Sequence, residues 1–148
     1  MKHEMKLREE PFSMMAEGKK TVELRLYDEK RRAIEVGDEI CFRHASDEAR
    51  TLTRYVVRLH LYPSFAALYA ALPLSALGYT AERAASASAK DMRCYYTEED
   101  EKRWGVVGIE LTEDEDVRPY LSERELFDYV SREVFRKYDG AFRALAKL

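Results

Sequence analysis

From Lys20 to Asp28 apolar and polar residues alternate. Val22, Leu24 and Leu26 fall on one side of a period-two ladder, and Thr21, Glu23, Arg25 and Tyr27 on the other. That pattern predicts a strand with one face in a core and a charged face opposite, with Lys20 at its mouth. Upstream, Met5 and Leu7 suggest a short first strand. Pro11 to Gly18 reads as a short helix, with Pro11 in its first turn, Gly18 at its C′ position, and Phe12 and Met15 inward. Downstream, Asp28 caps a turn of helix, Val36-Gly37-Asp38 makes a turn, and Ile40, Phe42 and His44 alternate along a strand. Thr51 to Tyr62, rich in β-branched and aromatic residues, is a longer strand in a hairpin with it. Phe65, Leu68, Tyr69 and Leu72 place a helix between Pro63 and Pro73, and Leu74 to Gly78 is a turn. Thr80 to Met92 predicts a second helix capped by Thr80. Thr97 and Asp100 start a third, and Gly105 opens a closing strand from Val106 to Leu111. Beyond a linker from Thr112 to Pro119, Ser122 and Glu125 form a capping box. Phe127, Val130, Val134 and Tyr138 then mark an amphipathic helix ending at Gly140, its stripe widened by Leu126, Phe135, Phe142 and Leu145.

Composition narrows the function classes. A chain of 148 residues, 46% hydrophobic and 36% charged, suits one soluble domain with an appendage. The net charge of −3 excludes a broadly basic nucleic-acid binder. Charge is segregated, however: residues 19–32 hold six cations against three anions, and residues 97–116 hold nine acids against two bases. The basic segment is either a solvated face or a set of phosphate contacts. Cys41 and Cys94 stand apart and read as free thiols of a reducing compartment, so a cytoplasmic location is expected. His3, His44 and His60 lack ligand spacing, and neither a metal nor a cofactor is expected. No signal peptide is evident, and the most apolar run, Leu61 to Leu77, is broken by Pro63 and Pro73; no membrane partner is expected.

The charged strand face is where chemistry is expected. Arg25 offers a planar fork of donors, Lys20 a point charge, and Glu23 an acceptor for either cation or for an exocyclic amine. The simpler reading is a solvated face with surface ion pairs. Tyr27, Tyr95, Tyr96 and Trp104 suit either stacking on bases or core packing.

Gly18-x-Lys20-x-x-Glu23-x-Arg25, the Val36-Gly37-Asp38 turn and the closing Gly105-Val106-Val107-Gly108-Ile109 strand together resemble the signature of the ASCH domain family, in the PUA-like superfamily. The resemblance covers about residues 1–112 and leaves 113–148 as linker and C-terminal helical extension. It implies an α+β fold: a small PUA-like mixed β-barrel with flanking helices and a cleft lined by the motif. It also implies an RNA or nucleotide partner, with Lys20, Glu23, Arg25, Tyr27 and Tyr96 as ligand-binding residues. The alternative is an amidohydrolase acting on N4-acylated cytidine or a related small amide, with Lys20 and Glu23 catalytic. That branch of the family uses a Lys and a Thr on the motif strand plus a distant Glu; here Glu23 stands at the Thr position, and Glu82 alone is available for the distant acid. The C-terminal helix must bury its stripe against the barrel, a second copy in a homodimer, or another protein.

Overall fold

A computed structural model describes residues 1–148, in two compact units, Met1–Glu115 and Asp116–Leu148. The first unit is built on one five-stranded sheet. Its strands are β1 (Lys2–Leu7), β2 (Val22–Leu26), β3 (Glu39–His44), β4 (Thr51–Tyr62) and β5 (Val106–Thr112), in the order β1-β3-β4-β5-β2. Only β1 and β3 pair in parallel; the other neighbours are antiparallel. The sheet forms a half-barrel whose two edges are β1 and β2. Between Val56 and Arg58 the β4–β5 register shifts, and Val56 and Val57 are both buried at this bulge.

Helix α1 (Glu9–Ala16) follows β1, buries Phe12 and Met15, and ends with Gly18 at a φ of 76°. Pro11 is its third residue, so the helix starts earlier than Pro11 suggests. Short α2 (Glu29–Arg32) is capped by the Asp28 carboxylate, which accepts the Arg31 N–H. Helix α3 (Phe65–Ala71), capped by Ser64, follows β4.

The helix expected over 80–92 does not form as one piece. Instead α4 (Ala81–Ala84) stops after one turn, and a 3₁₀ segment begins at Ala89 and runs to Cys94. Serines cause the break. Ser86 Oγ donates to the Arg83 carbonyl, and Ser88 forms a capping box with Asp91 that starts the chain afresh. Thr97 and Asp100 cap α5 (Glu98–Trp104) in the same way.

Two apolar clusters use the two faces of the sheet. Met5, Phe12, Ile40, Phe42, Val107 and Ile109 belong to the first. Val22, Leu24, Leu26, Phe65, Leu68 and Val106 belong to the second, under α3. Gly108 permits this contact: a Cβ there would lie 3.1 Å from Val22 and 3.2 Å from Leu72.

The second unit is a 3₁₀ turn (Arg118–Tyr120) and one helix, α6 (Glu123–Ala146), with the Ser122–Glu125 capping box at its start. The helix runs through Gly140, where a stop was expected. An interior glycine costs about 1 kcal/mol, and the stripe resumes beyond it with Phe142 and Leu145. Phe127, Val130, Val134, Tyr138, Phe142 and Leu145 are all exposed. No helix is long and apolar enough to cross a membrane.

Candidate functional site

Strand β2 is buried on both faces. Its Val22, Leu24 and Leu26 pair with Glu110, Gly108 and Val106, while Glu23 and Arg25 pair with Ile109 and Val107. Directly paired residues share a face, so the charged stripe stands beside the side chains of the first cluster. The solvated-face reading is thereby set aside: Lys20 and Glu23 side chains are 8% and 6% exposed, and Arg25 is 16% exposed.

Each group in this stripe has named partners. Lys20 Nζ donates to the Leu77 carbonyl at 3.0 Å and lies 3.6 Å from Glu23 Oε1, in ion-pair rather than hydrogen-bond range. The Leu24 N–H donates to the same carboxylate oxygen at 3.1 Å. Arg25 donates to the other, through Nε at 3.3 Å and Nη2 at 3.0 Å. That Nη2 also donates to the Lys6 carbonyl at 2.8 Å. Arg25 therefore reaches from one edge strand, β2, to the other, β1. Burial pushes the Glu23 carboxyl up, but the charges of Lys20 and Arg25 and the hydrogen bonds outweigh it, and the group is held below the usual carboxylate range. Burial alone would lower Arg25; Glu23 reverses that, and the guanidinium is raised.

The loop after α3 fixes Lys20. The N–H groups of Thr21 and Val22 both donate to the Ala76 carbonyl at 3.0 Å. This docking puts Gly78, at a φ of 100°, against the Lys20 stem: a Cβ at Gly78 would sit 3.4 Å from Lys20 Cδ.

Beside the triad lies a cavity of about 430 Å³, within the size range of small-molecule sites. Its walls come from residues 6–8 at the end of β1, Lys20, 23–25 of β2, 77–79 after α3, and residues between 91 and 96. Tyr96 lines it, stacked on Phe65 with ring centroids 5.8 Å apart.

Of the residues expected at the site, Lys20, Glu23, Arg25 and Tyr96 line one cavity. Tyr27 is not among them. It stands just past the end of β2, outside the cavity walls. There it packs on the first core cluster with the Arg32 guanidinium 4.5 Å from its ring. The basic segment is occupied elsewhere too: Arg31 pairs with Asp28 at 3.0 Å, Lys19 with Glu17 at 3.0 Å, and Arg32 donates to the Trp104 carbonyl at 3.1 Å. Glu82 is exposed and outside the cavity walls.

Other lining residues were not anticipated. The Tyr69 and Tyr79 hydroxyls lie 2.9 Å apart, and Tyr79 donates to Asp91 Oδ2 at 2.6 Å. Burial, then the Asp91 hydrogen bond, push the Tyr79 phenol well above its usual range. Arg8 covers the Tyr95 ring at 4.7 Å. These residues are brought together by the irregular segment 77–96, whose path no periodicity announces.

Comparison with known proteins agrees with this architecture. A family model described as the ASCH domain matches residues 5–115. A crystal structure of the hypothetical protein PH0355 is 37% identical, covering 75% of this chain and 97% of that one, with a TM-score of 0.62. The solution structure of protein PF0455 from Pyrococcus furiosus is 33% identical, covering 75% of this chain and 96% of that one, with a TM-score of 0.56. No curated protein is matched. The chain belongs to the ASCH domain family.

Proposed function

We propose that the first unit binds a nucleobase-bearing ligand, a nucleotide or an RNA nucleotide, in the cavity beside Lys20, Glu23 and Arg25. The observation that carries this reading is a buried Lys–Glu–Arg cluster, two cations sharing one carboxylate, at the wall of a cavity of about 430 Å³. Buried ions are costly to maintain, and here they adjoin an open volume instead of packed side chains. Such a cluster presents donors and an acceptor to a base edge, and Tyr96 adds a ring surface. The test is a calorimetric titration with the common nucleosides and nucleotides. Replacing Lys20 or Arg25 by alanine is expected to weaken binding about tenfold or more, with circular dichroism verifying that the variants fold. No heat of binding with any of these ligands would end the proposal.

The amide-hydrolysis alternative has less support. Glu82, the acid available for the distant position, lies outside the cavity, and the other acids that line it, Glu10 and Asp91, are engaged by Arg83 and Tyr79. Lys20 Nζ already donates to a backbone carbonyl.

For α6 we propose a second copy of this chain, antiparallel, as the cover of its apolar stripe. Glu123, Glu125 and Asp128 lie in its first turns, and Arg136, Lys137 and Arg143 towards its end. Antiparallel pairing sets the acidic end of one helix against the basic end of the other.

A further inference from the structure

Most cations around the cavity already have an anionic partner. Lys20 and Arg25 share Glu23, Arg83 pairs with Glu10, and Lys6 lies 3.6 Å from Glu48. Arg8 differs. It has no carboxylate within ion-pair distance, and its guanidinium lies over the face of Tyr95, 4.7 Å from the ring centroid. Both residues are exposed and both line the cavity.

A guanidinium lying over a phenol ring is held by the ring's quadrupole. That contact uses the flat face of the group and leaves its donors at the edge uncommitted. Stacking thus limits the orientations of a long side chain without consuming a hydrogen bond. Burial and then the neighbouring Cys94 push the Tyr95 phenol up, while the Arg8 charge over its ring pulls it down. The mouth of the cavity therefore carries an uncompensated positive charge in a chain of net charge −3.

We infer that Arg8, backed by Tyr95, is an anion-binding position for the phosphate of a nucleotide whose base occupies the cavity. This rests on the base-binding reading above and goes beyond it: it makes the preferred ligand a phosphorylated nucleoside, and it assigns the phosphate to Arg8 instead of the basic segment 19–32. The planar fork suits two phosphate oxygens at once, the geometry in which arginine binds phosphate most strongly.

The experiment compares each nucleoside with its 5′-monophosphate by calorimetry, on the full chain and on Arg8→Gln and Arg8→Lys. The wild type is expected to prefer the monophosphate by about tenfold, as charge-assisted hydrogen bonds imply. Arg8→Gln should remove that preference, with monophosphate affinity falling far more than nucleoside affinity; Arg8→Lys should retain part of it. Raising the salt concentration should shrink the wild-type preference. An undiminished preference in Arg8→Gln, or equal affinity of the wild type for both ligands, would overturn the assignment and leave the base-binding reading standing. If neither nucleosides nor nucleotides bind, both fall together.

Discussion

Glu23 is the counter-charge of two buried cations, and its removal has a calculable effect. Glu23→Gln leaves the buried Lys20 and Arg25 without their carboxylate, a change that costs roughly 3–5 kcal/mol in comparable buried pairs. The pH dependence follows from the direction of the Glu23 shift. Its folded-state pKa lies below the ordinary value of 4.5, so its contribution is fully present above that value and is lost as pH falls below it. The stability gap between wild type and Glu23→Gln should be constant near neutrality and narrow below about pH 4.5, measured as melting temperature against pH. A gap that stays constant into acid would show that Glu23 is not held ionised. At this scale a fixed period of two places Glu23 and Arg25 on one face, whereas Lys20, of the opposite parity and outside β2, is brought to Glu23 by the docking of the loop after α3. Tyr27 lies outside the cavity walls, since periodicity assigns a face but not how far along it a cavity extends. No sequence pattern points to Arg8, whose proposed role depends on Tyr95, distant in sequence and close only in the fold.

Among the elements, β2 and α3 depend on a residue without a side chain. Gly108 lets α3 approach the sheet closely enough for Leu68 and Leu72 to touch β5. Gly108→Leu would force the helix outward, and overpacking of this kind costs about 1–3 kcal/mol. The expected result is a lower melting temperature with increased binding of a hydrophobic dye, as the second core cluster opens; an unchanged melt would mean that α3 has room to spare. The strands were readable because each follows a pattern over five or more residues. The stretch from Thr80 to Met92 was not, because alanine-rich sequence has helical propensity without a stripe to bury, and Ser86 and Ser88 redirect the backbone locally. Gly140 illustrates the opposite case: a glycine reads as a stop, yet the apolar spacing on either side continues the helix.

For the molecule as a whole, the half-barrel and the long helix are separate compact units. The family resemblance that identified the first is silent on the second, whose partner has to be argued from charge and exposure. If antiparallel pairing covers α6, sedimentation should show a concentration-dependent dimer. Phe142→Glu should yield a monomer, and 1 M salt should weaken the association by screening its charged ends, to within a Debye length of about 3 Å. A chain that sediments as a monomer throughout would return the stripe to another partner. The contact from Arg25 to the Lys6 carbonyl has a different bearing on how the protein can vary. One guanidinium fastens the two free margins of the sheet and also borders the hollow between them, so selection acting on ligand preference at that position would act on folding in the same stroke. Arg8, resting only on a ring, carries no such double duty. Drift in specificity among descendants of this chain should therefore accumulate at the entrance and spare the clasp.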